Sequence, residues 1–417
     1  MDICRNYKES GIFWQPSVPE EWVVTRLKHV LLKLSRERNP EDELLVCSNS
    51  GDVKKRGDSK LGLVAESNDI YQGVKAGDLL IHGMDTWHGA IAVSEYDGMC
   101  TPVVHVCDST QNKKYVALYL RNMASLKIFK LISNGVRQNT SDFRSWDKLA
   151  NIPIPLPPLA EQEKIVSYLE DKTSKIDAYV ADKEKEIELL QELKQKTIAD
   201  AVTKGLNPNA KMKDSGISWI GVIPEHWEVK KIGSLFVERR EKVSDKEFPA
   251  LSVSKQGVTP QLDTAVKTDN GDNRKKVCKN DFVVNSRSDR KGSCGVSPYT
   301  GSVSLINIVL SPRENIEVQY FHHLFRSNNY IEEYYRIGRG IVADLWTTRY
   351  SEMRNIFVPL PPKDEQQSIV AYIEEKCEKI DKLASELQSE IDYLKEYKQR
   401  LIADCVTGQV NVQNEMI

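Results

Sequence analysis

The densest chemistry-bearing clusters in the sequence are cationic. Lys54-Lys55-Arg56, Arg274-Lys275-Lys276 and the stretch from Arg287 through Arg290 to Lys291 crowd positive charge into short spans. Around them stand other side chains able to meet anions or base edges. These are His82, Trp87, His88, Arg137, Gln138, Asn139 and Arg144 in the first part of the chain, and Asn285, Arg339 and Arg349 in the second. Guanidinium, ammonium and amide groups bridge phosphate oxygens and form paired hydrogen bonds with base edges, so this set points to nucleic-acid contact. For any single member the alternative is an ordinary solvated charge. Arg137 and Arg339 stand out because each sits in a comparable glycine-containing loop, Asn134-Gly135-Val136-Arg137 and Gly338-Arg339-Gly340-Ile341.

Catalytic constellations are missing. The Asn/Asp-Pro-Pro-aromatic tetrapeptide with which an adenine methyltransferase holds its target amine does not occur; the nearest stretches are Asn39-Pro40-Glu41 and Asn207-Pro208-Asn209. Neither a glycine-rich cofactor loop following a strand nor a GxxxxGK[ST] phosphate loop is present. His322 and His323 are adjacent, so on a helix they point about 100° apart and make poor co-ligands. His105 and Cys107 alternate on an expected strand with no second pair, and both read as structural. The 8 cysteines are scattered without a CxxC pair, which suits reduced thiols and argues against a disulfide framework or a zinc site. With no long apolar run and no signal-peptide pattern at the N-terminus, a soluble, cytoplasmic protein is expected.

What must position these groups is written twice in the chain. Ile152 to Gly205 and Ile356 to Gln409 align without a gap at an offset of 204 residues. Leu156-Pro157-Pro158 falls on Leu360-Pro361-Pro362, Glu161-Gln162 on Glu365-Gln366, and Ile198-Ala199-Asp200 on Ile402-Ala403-Asp404. Each copy opens with a proline-rich strap, which cannot be helical but suits the approach to a helix N-terminus. A long run free of proline and internal glycine follows, with acidic residues first, where the helix dipole favours them. Apolar residues then recur at three, four and seven: Ile165, Leu169, Ile176, Tyr179, Ile187 and Leu190 in the first copy, Ile369, Ile373, Ile380, Leu383, Leu387, Ile391 and Leu394 in the second. Lys172 and Lys376 interrupt this stripe at equivalent places, and Lys183 breaks it in the first copy only. A helix of about forty residues is ~60 Å long, and so narrow a stripe over that length needs a partner helix. A coiled-coil dimer between two chains is one solution; the second copy of the same helix is the one that suits a repeated chain.

Length is enough for two to three domains with ample core. The charge is unevenly divided. Residues 1–150 carry 20 Lys+Arg against 19 Asp+Glu, and residues 206–355 carry 23 against 18. The remaining stretches, 151–205 and 356–417, are together strongly acidic. Residues 1–150 and 206–355 read as two mixed α/β domains of one plan. GIFWQPSVPEEW is answered by GISWIGVIPEHW, so that Trp14 and Trp22 fall on Trp219 and Trp227, which read as core anchors. Strands are expected at Leu44–Cys47, Asp78–Ile81 and Val103–Val106, and helices from Lys113 to Ile132 and from Tyr320 to Tyr335. Asn280-Asp281 answers Gly77-Asp78, Gly292 answers Gly89, and Gly301 answers Gly98. Landmarks recur while most residues between them differ.

This order of parts resembles the specificity subunit of type I DNA restriction-modification enzymes. A variable globular domain, the strap LPPLAEQEKIV with a long helix, a second variable domain, and LPPKDEQQSIV with a second long helix cover essentially the whole chain. The resemblance implies an α+β architecture: target recognition domains at 1–150 and 206–355, and strap-plus-helix segments at 151–205 and 356–417 packed as an intramolecular antiparallel coiled coil. It further implies that each globular domain reads one half of a bipartite site in double-stranded DNA. The helices set the gap and dock two adenine-N6 methyltransferase subunits, and a restriction and translocation subunit joins them. No cofactor is expected on this chain; S-adenosylmethionine, ATP and magnesium belong to the partner subunits. A coiled-coil interaction protein that holds protein partners without reading DNA stays open as the second reading. Salt-dependent, sequence-selective duplex binding separates the two.

Overall fold

The computed structural model describes residues 5–39, 41–57, 70–133, 143–261, 271–287, 291–313, 316–339 and 347–412. It divides into two compact units, one of residues 1–183 with 389–417, the other of residues 184–388. Each unit contains a globular part together with portions of both long helices.

In the first unit a four-stranded antiparallel sheet runs in the order Leu32–Lys33, Val104–Asp108, Leu79–His82, Ile91–Val93. Its strand Leu79–His82 shows how the layers arise. Leu79 and Ile81 enter the core that holds Trp22 and the helix Lys113–Ser125. Leu80, between them, enters a second core with Leu45, Val53 and Val74. Successive strand side chains point to opposite faces, so a strand apolar at every position is one covered on both sides. The hairpin Leu45–Cys47 with Val53–Lys55 and the pair Gln72–Val74 with Gly98–Cys100 supply the second cover.

The second unit repeats the sheet with Phe236–Glu238, Asn307–Pro312, Phe282–Asn285 and Cys294–Val296. Phe282 and Val284 join the core under the helix Val318–Arg326, and Val283 joins the one with Leu251, Val258 and Val277. Each sheet is pinned by a matching ion pair. Arg36 binds Asp78 through both terminal guanidinium nitrogens, and Arg239 binds Asp281 through Nε at 2.7 Å and Nη2 at 3.1 Å. Both carboxylates also accept a backbone N–H, from Lys75 at 2.7 Å and Cys278 at 2.8 Å. Gly98 and Gly301 serve one purpose: a Cβ there would lie 2.6 Å from the Glu43 carbonyl oxygen and 2.5 Å from that of Pro249.

The two expected recognition-domain helices are each broken. Lys113–Ser125 stops before Lys127, whose φ of 59° is left-handed, and Ile128–Ile132 follows. Val318–Arg326 stops at Ser327, extended at ψ 143°, which opens Asn328–Arg336. Apolar spacing continues across both breaks, which is why periodicity alone runs them together.

The straps are strands before they are helix leaders. Pro153–Leu156 pairs with Val23–Arg26, and Phe357–Leu360 with Glu228–Lys231, each as a two-stranded ribbon in which every strand is an edge and proline is tolerated. The helices Leu159–Lys204 and Lys363–Val406 follow. At each joint a buried glutamine ties strap to globular part. Gln162 Nε2 donates to the Pro157 carbonyl at 2.9 Å while its Oε1 accepts from Asn112 N–H at 3.0 Å. Gln366 does the same with Pro361 at 2.8 Å and Glu317 at 2.9 Å. Asn112 and Glu317 are the N-caps of the two sheet-covering helices.

The buried stripe of each helix is narrower than expected. Ile165 and Leu169, like Ile369 and Ile373, lie in the globular cores. Beyond them the less exposed positions alternate by four and three: Thr173, Ile176, Val180, Lys183, Ile187, Leu190 and Lys194, matched by Cys377, Ile380, Ala384, Leu387, Ile391, Leu394 and Lys398. This corrects two seam assignments. Tyr179 is 45% exposed and Leu383 41%, whereas Val180 and Ala384, one residue on, are 8% and 9% exposed. A neighbouring residue points about 100° away, so Leu383, one place off the heptad, faces out, while Tyr179 lies at the rim of the stripe, its hydroxyl donating to Glu390 Oε1 on the other long helix at 3.0 Å. Lys172 and Lys376 likewise lie outside the stripe, over the rings of Tyr168 and Tyr372 at 5.4 and 5.6 Å.

Candidate nucleic-acid interface

The sequence candidates separate by what already holds them. Lys54 and Lys55 lie on the strand Val53–Lys55, exposed, and pair with Asp52 at 3.1 Å and Glu43 at 2.6 Å. Arg56 follows them, its backbone N–H donating to Leu44. Lys291 pairs with Glu332 at 2.5 Å and lies over the Tyr335 ring. Arg339, with a side chain 84% exposed, stands 3.8 Å from Glu352.

Within Arg274-Lys275-Lys276, the structure corrects Arg274. Arg274 is buried, its Nε donating to Ser302 Oγ at 2.9 Å and its Nη2 to the Ser302 carbonyl at 3.1 Å, and burial pulls its pKa down. Lys275 donates to the Asn307 carbonyl at 2.8 Å, and Lys276 pairs with Glu241 at 2.8 Å. These residues form the strand Arg274–Val277, between two neighbours, so alternate side chains must turn inward. A cationic run in sequence carries no sign of that. Arg137, Gln138, Asn139 and Arg290 lie outside the described residues.

The remaining candidates converge at one end of each sheet. In the first unit His82 ends its strand, and the turn Thr86–His88 follows, with His88 exposed. Asp85 N–H donates to His82 Nδ1 at 3.1 Å. Gly83, next to His82, is backed by the segment carrying Arg144: a Cβ on Gly83 would lie 2.9 Å from Arg144 Cα. In the second unit Asn285 ends the equivalent strand, Arg287 follows, and Thr347 bridges both Arg287 and Arg339. Thr348 N–H donates to the Ser286 carbonyl at 3.2 Å, which places Arg349 beside this strand end. A cleft of about 390 Å³ there is lined by Arg240, Lys275, Ser286 and Arg349 among others. Arg144, Arg287 and Arg349 are exposed, and among the described residues none has an ion-pair partner. Sequence reasoning passed over Arg240, which is bound to Glu238 at 2.7 Å.

Groups that could suggest other chemistry are structurally occupied. His322 Nδ1 accepts from Val296 N–H at 3.1 Å, and burial with nearby Arg326 pushes the pKa values of His322 and His323 down to about 3 and about 4. The Cys47, Cys100, Cys107 and Cys294 thiols are pushed up to about 12 by burial. Trp22 and Trp227 are fully buried, and Trp227 Nε1 donates to Glu365 at 3.0 Å. Among the described residues no helix is long and apolar enough to cross a membrane.

Residues 88–189 match the family described as type I restriction modification DNA specificity domain. A Methanocaldococcus jannaschii protein provisionally named the type I restriction enzyme MjaX specificity subunit is 26% identical over 98% of this chain and 97% of its own length. The EcoBI specificity subunit of Escherichia coli is 24% identical over 62% of this chain, a match that spans 59% of that protein. Among solved structures, a chain from a study of type I R-M complex assembly and conformational transition aligns with a TM-score of 0.68 at 16% identity, covering 94% of this chain and 99% of that one. The HsdS subunit from Thermoanaerobacter tengcongensis aligns at 0.54 and 17% identity, covering 94% and 98%. These names bear out the resemblance read from the sequence.

Proposed function

We propose that this chain is the DNA-specificity subunit of a type I restriction-modification complex and acts in the cytoplasm. Each globular domain reads one half of a bipartite duplex site. The two long helices pair antiparallel within the chain, fix the distance between the halves and carry two adenine-N6 methyltransferase subunits, which restriction subunits join. S-adenosylmethionine, ATP and magnesium act on those partners.

The observation that carries this reading is a shared scaffold with different ends. The two globular parts share sheet order, ion pair, joint glutamine and helix cap, yet the strand ends facing the candidate interface differ, His82 in one and Asn285 in the other. A protein reading two unlike half-sites needs this combination, because phosphate-level positioning can be common while base contacts must differ.

The test is a genome-wide map of N6-methyladenine in the native host, with and without this gene and with the partner genes expressed. Loss of one motif made of two short specified halves around a fixed gap is the expected result. Unchanged methylation would sink the DNA-reading function and leave the interaction-protein reading in its place.

A further inference from the structure

His82 and Asn285 close strands that hold the same place in the two sheets. In both, the following turn binds the side chain's acceptor. Asp85 N–H donates to His82 Nδ1 at 3.1 Å, and Arg287 N–H donates to Asn285 Oδ1 at 3.1 Å. A neutral imidazole that accepts at one nitrogen carries its proton on the other, so His82 presents Nε2–H. The Asp85 carboxylate also lies 3.2 Å from Nδ1. The Asp85 N–H, shared with the His82 carbonyl at 3.2 Å, still points at Nδ1, so a proton there would face an amide hydrogen, and the geometry favours the tautomer with its proton on Nε2. Asn285, with its oxygen taken, presents its NH₂. Both side chains are mostly covered but reach solvent, His82 with 22% of its side chain exposed, and among the described residues neither outward donor has a protein partner. Beside them run the segments bearing the unpaired Arg144 and Arg349.

We propose that His82 and Asn285 are matched base-edge readers, one per domain, each presenting a pre-oriented N–H donor to an acceptor on a base, with Arg144 and Arg349 beside them on the phosphates. This rests on the DNA-reading function proposed above. An orienting bond from the protein's own turn leaves one donor free in a set direction, which suits acceptors such as purine N7, guanine O6 or thymine O4. The same position filled by an imidazole in one domain and an amide in the other would give the two halves different base preferences from one scaffold.

The experiment uses the full chain assembled with its methyltransferase subunits, reading the methylated motif in a host lacking the chromosomal gene. Asn285→Asp keeps the acceptor for Arg287 N–H and removes the donor. His82→Ala removes both functions, and His82→Asn restores an acceptor and a donor. Asn285→Asp is expected to relax discrimination in one half-site only, on the order of ten- to a hundredfold. His82→Ala should do so in the other half only, with His82→Asn retaining discrimination there. The inference is overturned if Asn285→Asp and His82→Ala leave both halves unchanged. It is equally overturned if one variant degrades both halves, or abolishes methylation while the assembled complex melts as wild type does. A wild-type complex that specifies no bipartite motif would instead overturn the functional reading itself.

Discussion

Lys194 donates from its ammonium to both carboxylate oxygens of Asp381, at 2.6 and 2.7 Å, within the second unit. The first unit holds the same contact between the repeat equivalents: Lys398 meets Asp177 at 2.6 Å on both oxygens. In each unit the partners come from different long helices. Because Lys194 and Lys398 occupy the buried stripe while the aspartates stand beside it, each pair fixes which turn of one helix faces which turn of the other.

These pairs should govern register more than stability. The aspartates are more than half exposed, so each pair is expected to contribute only about 0.2–1 kcal/mol, and less at high salt. Exchanging the charges with Lys194→Asp and Asp381→Lys together should recover most of what either single change loses. A double-mutant cycle on urea midpoints at low and high salt measures this; strict additivity would remove the register role.

Tyr115 and Tyr320 should behave as a pair. Each is fully buried, and its hydroxyl bridges a strap carbonyl and the last turn of the other repeat's helix. Tyr115 reaches Pro155 at 3.2 Å and Val406 at 3.1 Å, and Tyr320 reaches Pro359 at 3.4 Å and Val202 at 2.8 Å. Replacing either by Phe should cost about 1–2 kcal/mol, since buried acceptors lose a partner. Chemical denaturation of Tyr115→Phe and Tyr320→Phe should show similar losses.

Acid should destabilise the second unit through two histidines. His322 and His323 have folded pKa values of about 3 and about 4, below the unfolded value near 6.5. Between these limits the unfolded chain binds more protons, so stability is present above pH 6.5 and falls progressively as pH drops towards 3–4. Melting temperature against pH should show this slope, and His323→Leu should flatten it. A slope unchanged by that substitution would mean the ring titrates normally in the fold.

Arg144→Ala and Arg349→Ala should weaken duplex binding uniformly across sequences. Removing one phosphate contact lowers the slope of log affinity against log salt by about 0.9. Binding titrations over a range of salt, with cognate and unrelated duplexes, check both parts. A loss confined to the cognate duplex would reassign these arginines to base contact.

Lengthening both helices by a heptad at equivalent points should add about 10.5 Å, or roughly three base pairs, to the gap in the methylated motif. The methylation map of the lengthened protein reads it directly. An unchanged gap would mean that the helices do not set the spacing.

Much of this was legible in the sequence because it is local or periodic. The 204-residue repeat, the proline straps, the paired tryptophans and the glycines at 98 and 301 follow from residue type and spacing, where φ restriction, missing donors and close packing leave few options. The helix breaks at Lys127 and Ser327 were hidden, since apolar period continues through both. The heptad positions Val180 and Ala384 lost out on size to Tyr179 and Leu383, and only helix pairing chose between them. The candidate site divided along the same line. Sequence alone determined which residues could meet a nucleic acid, because that is side-chain chemistry. Only tertiary structure decided that Arg274 is spent on Ser302, that Lys55 and Lys276 are neutralised by Glu43 and Glu241, and that His82 and Asn285 stand at equivalent strand ends. Burial, charge pairing and sheet register depend on partners tens of residues away, and no local pattern encodes them.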